Sequence, residues 1–120
     1  MRKRTLLMPA TMVLMMATAH AEEGDGVTAM CLDRYDADAC ACASKALRGE
    51  VSAEDFELYD AIGADYMERL EAGEDMSAAW SAASDTQAER LGVKTSGLLK
   101  RTNAIGRAHR AAIKACSGED

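Results

Sequence analysis

The chain has little proline and few aromatic residues, and both shortages bear on its fold class. Its 120 residues include a single proline, Pro9, and aromatic side chains make up 4% of the sequence. No stretch alternates between apolar and polar residues with a period of two, which is the pattern of a half-buried strand. Because alanine is frequent and no proline follows Pro9, the composition favours helices throughout.

The motifs that identify common enzyme and cofactor sites are also missing. The sequence contains no nucleophile elbow, no phosphate-binding loop and no paired-histidine motif. It lacks the Cys-x-x-Cys of thioredoxin-like proteins, the Cys-x-x-Cys-His of covalent haem, and the usual cysteine spacing of zinc sites. We therefore predict no catalytic residue, no cofactor and no bound metal, and a non-enzymatic role is favoured.

The first 21 residues have the pattern of a cleaved secretory signal peptide. Residues 1–4 are positively charged, residues 5–18 carry no charge, and Ala19-His20-Ala21 fits the small-x-small rule for cleavage. The apolar run is shorter than the roughly 20 residues that a helix needs to cross a bilayer. We expect a periplasmic or secreted product with no stable membrane insertion after signal cleavage.

The remaining residues predict a flexible tail over residues 22–26 and one helical domain over residues 27–118. Start and stop signals place five helices at residues 27–34, 39–48, 52–72, 77–91 and 95–116. The predicted fold class is all-α, a small disulfide-stapled bundle of four to five short helices.

The start of the third helix is the clearest boundary. Ser52 and Asp55 form a variant of the capping box, while Val51 and Phe56 occupy the positions of a hydrophobic staple. Glycines just past the last periodic residue are expected to end the second, third and fourth helices, namely Gly49, Gly73 and Gly92.

Apolar residues at steps of three and four define the faces expected to form the core. On the first helix these are Val27, Met30 and Cys31, and on the third Phe56, Tyr59, Ile62, Tyr66 and Leu70. On the fourth they are Met76, Trp80, Ala83 and Leu91, and on the fifth Leu98, Thr102, Ile105, His109, Ala112, Ile113 and Cys116. Gly63 lies inside the third predicted helix and Gly106 inside the fifth. Each interior glycine destabilises its helix by about 1 kcal/mol relative to alanine, so it indicates either close helix packing or a position where the helix tolerates glycine.

Four cysteines follow the predicted signal: Cys31, Cys40, Cys42 and Cys116. An even number of cysteines in an exported chain favours two disulfides. Cys40 and Cys42 lie about 200° apart on a helix, so each needs a different partner. We favour Cys31 with Cys40 and Cys42 with Cys116, and the alternative exchanges Cys40 and Cys42.

A second interpretation gives the Cys40-Ala-Cys42 pair a chemical role. Two closely spaced thiolates can bind a soft metal, and a thiol in the first turn of a helix can be redox-active. His109 is the other side chain with chemistry near neutral pH, and its place between Ile105 and Ile113 predicts a semi-buried residue rather than a catalyst.

Charge is distributed unevenly along the chain. Residues 22–92 contain eighteen acids and five bases, whereas residues 93–118 contain six bases and no acid. The six bases are Lys94, Lys100, Arg101, Arg107, Arg110 and Lys114. They either pair with acids of the third helix or form a basic face that binds a partner. Export and overall acidity argue against nucleic acid as that partner.

The sequence thus favours an exported, non-enzymatic binding or accessory protein that acts through a helical surface on another extracytoplasmic protein. One variant of this hypothesis is a stress-related holdase, because acid would neutralise the carboxylates and turn the bundle cationic. The alternative is an extracytoplasmic thiol-redox or metal-binding protein that uses the Cys-x-Cys pair.

Overall fold

A computed structural model describes residues 25–118, and the predicted signal peptide and residues 22–24 lie outside this part of the chain. Within residues 25–118 the fold is all-α, with five helices, no strand and two disulfides. The helices are α1 (Asp25–Leu32), α2 (Ala37–Glu50), α3 (Ala53–Glu71), α4 (Met76–Leu91) and α5 (Thr95–Ser117).

The core lies where the two longest helices, α3 and α5, meet the other three. α1 and α4 pack mainly on α3, and α2 packs mainly on α5. The largest buried side chains include Phe56 and Ile62 of α3 and Leu47 of α2. The α5 face predicted from its spacing is buried from Leu98 to Ile113. Burial of these apolar surfaces is the main force that holds such short helices together.

Two predicted helix-end signals are confirmed, one at the start of α3 and one at the end of α4. The Ser52 hydroxyl accepts a hydrogen bond from the Asp55 N–H at 3.0 Å, and Val51 packs against the cluster that contains Phe56. Gly92 ends α4 with a left-handed φ of 69°, and the N–H of Val93 donates to the carbonyl of Ala88, as in a Schellman motif.

Three predictions are wrong: the start of α1, the end of α2, and the burial of Met76 and Leu91 on α4. α1 begins at Asp25 and so takes in the end of the predicted tail, because the Val27 N–H is held by the Asp60 carboxylate at 2.8 Å. α2 runs through Gly49, whose φ is not left-handed, to Glu50. On α4, Met76 and Leu91 are exposed, and the buried face consists of small and polar residues, namely Ala79, Ala83, Ser84, Gln87 and Ala88.

The contact between α1 and α3 depends on glycines in both helices. A Cβ added to Gly26 would overlap the backbone carbonyl of Asp60 and lie 2.6 Å from the backbone N of Ala64. A Cβ added to Gly63 would lie 3.1 Å from the carbonyl oxygen of Gly26. Close packing is therefore the reason for Gly63, whereas a Cβ on Gly106 would make nearly ordinary contacts.

We expect Gly26→Ala to lower the free energy of unfolding by about 2 kcal/mol, because the added methyl group meets backbone atoms that move only with the whole helix. Gly97→Ala is the matched control, since a Cβ there has no neighbour within 4 Å. The control should leave stability unchanged or raise it by up to about 1 kcal/mol. Urea unfolding followed by circular dichroism measures both, and equal stability of the two variants would contradict the close α1–α3 contact.

The cysteines pair as favoured from the sequence. Cys31 bonds to Cys40 across the turn between α1 and α2, and Cys42 bonds to Cys116 near the end of α5. Cys40 is buried and Cys42 is exposed, as their opposite projections predict. Two disulfides indicate an oxidising, extracytoplasmic environment. Among residues 25–118, no helix combines the length and apolar character needed to cross a bilayer.

Candidate ligand-binding site

A buried pair of polar rings joins α3 to α5. The Tyr59 hydroxyl and His109 Nδ1 lie 3.2 Å apart, and the two side chains are 6% and 2% exposed. The ring centroids are 5.5 Å apart with an interplanar angle of 82°, an edge-to-face arrangement. This hydrogen bond satisfies one polar atom of each ring inside an apolar surrounding.

Burial keeps both members of the pair uncharged. It lowers the pKa of His109 to about 4, and the nearby positive charge of Arg110 lowers it further. Burial raises the pKa of Tyr59 to about 12, with Arg110 acting in the opposite direction. A general acid or base works best with a pKa near the ambient pH. Both pKa values lie far from neutral pH, so the pair is poorly matched to proton transfer there.

His109 also has a polar atom without a partner. Its Nε2 is buried, and no other group among residues 25–118 forms a hydrogen bond with it; Ser84 Oγ is in the same situation. A buried polar atom left unpaired costs about 1–3 kcal/mol. When the Tyr59 hydroxyl donates to Nδ1, the proton of neutral His109 resides on Nε2, and that atom becomes a hydrogen-bond donor.

A cavity lies beside this pair, between the end of α1 and the last turns of α5. Its volume is about 350 Å³, within the range of small-molecule sites. We call it the α1/α5 cavity. Tyr59 and His109 line it together with apolar or aromatic surface from Met30, Tyr35 and Ile113. Its ionic groups are three cations and one acid, namely Arg34, Arg110, Lys114 and Asp33.

Both disulfides hold the walls of this cavity in place. Cys31 belongs to the lining, and its bond to Cys40 fixes the turn in which the Tyr35 N–H donates to the Cys31 carbonyl at 3.0 Å. Ile113 packs in the same cluster as Cys31 and Cys40, with Cys116 against it. The cavity therefore lies at the most cross-linked end of the bundle.

A second cavity, of about 320 Å³, opens on another side of Tyr59. Trp80 contacts both tyrosines of α3 edge to face, with ring centroids 6.2 Å from Tyr59 and 5.2 Å from Tyr66. Arg110 lines this cavity as well as the α1/α5 cavity. His109 lines the α1/α5 cavity and is absent from the lining of the second cavity.

The six basic residues predicted as one face are divided by the structure. Arg101 bonds to Asp55 of α3 at 2.6 Å, and Lys94 is the N-cap of α5. The other four occupy an arc of about 80° on α5, at about 100° per residue, and all are exposed. We call them the basic stripe: Lys100, Arg107, Arg110 and Lys114. Within the described part of the chain, none of the four forms a salt bridge.

Sequence reasoning placed His109 on a buried stripe but missed its partner. Tyr59 entered only as one of the apolar residues of α3, although a buried tyrosine usually requires a hydrogen-bond partner for its hydroxyl. This requirement was the one sign in the sequence that Tyr59 has a buried polar partner. Fifty residues separate the two side chains in sequence, and the packing of α3 on α5 is what brings them together.

Comparison with protein-family models, curated proteins and solved structures finds no match for this chain. Within residues 25–118, no group of three or more histidine, cysteine, aspartate or glutamate side chains is placed to hold a metal ion. The properties of the site therefore rest on its own geometry.

Proposed function

We propose that this chain is an exported, non-enzymatic binding protein whose basic stripe docks on an acidic surface of another periplasmic or secreted protein. The observation that carries this proposal is the exposure of four cations on one side of α5 without a salt bridge among residues 25–118. Internal pairing with α3 accounts for Arg101 alone. Like charges on one helix face repel one another, and an acidic partner would relieve that repulsion.

The shape of α5 supports this role. Ile105 and Ala112 lie on the side of the helix opposite the stripe and are buried in the core, so the stripe is presented by a helix that the bundle holds rigidly. The Cys42–Cys116 disulfide ties the end of this helix to α2. A rigid surface loses little conformational entropy when it binds.

We expect the double variant Lys100→Glu and Arg107→Glu to weaken partner binding about tenfold or more, since each reversal turns an attraction of up to about 1 kcal/mol into a repulsion. Neither residue lines either cavity described above. A photo-crosslinking residue at exposed Ala104, beside the stripe on α5, captures the partner in producing cells, and mass spectrometry identifies it.

The matched control is Lys45→Glu with Lys94→Glu, which changes the net charge by the same amount outside the stripe. Binding of the identified partner to purified protein should change less than twofold in this control. Equal loss in both double variants would show a general charge effect, and no loss in the stripe variant would refute the stripe as the docking surface.

A second candidate, a stress-related holdase, is supported by the burial of His109. Protonation of this residue in acid places a charge in the core, which weakens the packing of α5 on α3. Apolar-dye binding and client protection measured between pH 7 and pH 2 test it. A compact protein that binds no dye at pH 2 would remove this candidate.

The thiol-redox alternative now requires that a disulfide open. All four cysteines are paired, and a disulfide has no thiolate to offer a metal or a substrate. Cys42 is exposed whereas Cys31 and Cys40 are buried, so the Cys42–Cys116 bond is the one that a reductant would reach first. A free Cys42 thiol in the exported protein would favour this alternative.

A further inference from the structure

We infer that the acidic partner of the basic stripe inserts one aromatic side chain into the second cavity, an inference that rests on the docking function proposed above. The partner segment then consists of an aromatic residue, which we call the anchor, flanked by carboxylates. We call the second cavity the aromatic cavity, because Tyr59, Tyr66 and Trp80 line it. Its apolar surface, its volume and its place beside the stripe each support this occupant.

The aromatic cavity gathers apolar surface that the bundle leaves accessible. The chain has one tryptophan, three tyrosines and one phenylalanine, and the tryptophan and two of the tyrosines line this cavity. Trp80 and Tyr66 are half-buried. Met76 lines the same cavity and is 62% exposed, more than any other large apolar side chain among residues 25–118. A partner that covers this surface gains about 25 cal/mol for each Å² of apolar area removed from water.

The volume of the cavity suits one large side chain. It is about 320 Å³, at the lower end of the range of small-molecule sites. Aromatic rings that meet edge to face or with an offset gain about 0.5–1.5 kcal/mol beyond the burial of their area. The thioether of Met76 adapts to the shape of a neighbour and also makes favourable contacts with rings. An aromatic anchor therefore gains more here than an aliphatic one.

Arg110 joins the aromatic cavity to the basic stripe. A Cβ added to Gly106 would lie 3.4 Å from Arg110 Nη1 and 3.8 Å from the Tyr59 hydroxyl oxygen. Because Gly106 has no side chain, the guanidinium lies close to the backbone of α5 and beside Tyr59. A guanidinium binds carboxylates and also stacks on aromatic faces. Arg110 is therefore placed to pair with a carboxylate next to the anchor.

Two further cations of the stripe lie within reach of the residues that flank the anchor. Along the axis of α5, Arg107 and Lys114 lie about 4.5 Å and about 6 Å from Arg110 in opposite directions, at 1.5 Å per residue. An extended chain advances about 3.3 Å per residue. Carboxylates one or two positions before and after the anchor therefore come level with both cations when the segment runs along α5.

A capped pentapeptide with the sequence Asp-Glu-Phe-Asp-Glu is the probe. One matched peptide has alanine in place of phenylalanine, and the other has asparagine and glutamine in place of the acids. The exported protein with intact disulfides is labelled with nitrogen-15 and titrated at low ionic strength, where charge pairs are least screened. Trp80 is the only tryptophan, so its indole N–H signal reports the aromatic cavity, while the backbone N–H of Arg107 reports the stripe.

We expect the acidic phenylalanine peptide to shift the Trp80 indole signal saturably, with a dissociation constant at or below about 1 mM. Each matched peptide should bind at least about fivefold more weakly, since one loses the burial of a ring and the other loses its charge pairs.

The variant that tests the apolar wall is Met76→Ala, which should weaken binding of the phenylalanine peptide at least about threefold. Its matched control is Leu91→Ala, because Leu91 is an exposed apolar residue at the other end of α4 and lies outside the lining of the aromatic cavity. Binding to the control should stay within about twofold of the parent protein.

The outcomes separate the anchor from the docking surface. If the alanine peptide shifts the Arg107 signal with the same dissociation constant as the phenylalanine peptide, the anchor is wrong and the docking proposal is unaffected. If the uncharged peptide binds as tightly as the acidic one, the stripe is refuted as the docking surface, and with it the acidic character of the segment. No saturable shift of the Trp80 signal up to about 5 mM, or equal losses in Met76→Ala and Leu91→Ala, would overturn the anchor.

Discussion

Replacement of Cys42 and Cys116 by serine should lower the free energy of unfolding by about 4 kcal/mol. The bond joins residues 74 positions apart, so its loss releases most of the chain in the unfolded state. A domain of this size has only about 5–15 kcal/mol in total. The variant should fold, but with a markedly lower urea midpoint.

The short disulfide is the matched comparison. Cys31 and Cys40 are only 9 positions apart, which gives a chain-entropy contribution of about 3 kcal/mol. Both sulfurs are buried in the cluster with Ile113, so alanine replacements there also remove core contacts. Urea unfolding without reductant should therefore give losses of similar size for the two variants. A loss below about 1 kcal/mol for the Cys42 and Cys116 variant would show that this bond does not constrain the unfolded chain.

Reduction of both bonds should leave the protein unfolded or nearly so, because the summed loss approaches the total stability of a small domain. Circular dichroism with and without reductant measures the loss of helix. A reduced protein with native helix content and stability would contradict this expectation.

Acid should remove about 3 kcal/mol of stability through His109 alone. The pKa of this residue is about 4 in the folded protein, against 6.5 when exposed, because burial and the charge of Arg110 oppose protonation. Between these two values the unfolded chain binds the proton more readily than the folded one. The stabilisation is therefore complete above pH 6.5 and is lost as the pH falls towards 4.

His109→Gln is the variant that checks this effect. Glutamine cannot take up a proton in this range, and its side chain can still form a hydrogen bond with the Tyr59 hydroxyl. Urea unfolding at several values from pH 7.5 to pH 4 should show a steeper loss for the parent protein than for the variant. Carboxylates titrate in both proteins, so the difference between the curves isolates His109. Parallel curves would show that the protonation of His109 does not oppose folding.

Local signals in the sequence were reliable where a short segment decides the structure. Ser52 caps α3 and Gly92 ends α4 because each acts on backbone groups within a few residues. The buried stripe of α5 followed from its spacing, since α5 packs along most of its length. The opposite directions of Cys40 and Cys42 and the short connection between α1 and α2 favoured the observed disulfide pairing but left the exchange of Cys40 and Cys42 open.

Predictions that depended on a distant neighbour were less reliable. Met76 and Leu91 lie on the buried side of α4 at about 100° per residue, yet both are exposed because they are the first and last residues of the helix. Gly26 was assigned to a tail because nothing local shows that α3 lies against it. Such errors leave the predicted all-α fold class unchanged, but they change which residues are predicted to form a site.

The sequence by itself determined that this is a helical, cysteine-bridged chain with a basic final helix, because composition, periodicity and cysteine direction are properties of short segments. Tertiary structure alone decided that Tyr59 meets His109 and that, within residues 25–118, His109 Nε2 has no hydrogen-bond partner and four of the six bases form no salt bridge. Each of these facts depends on the distance between residues far apart in sequence. Such distances are set by how helices pack, and only the assembled bundle supplies them.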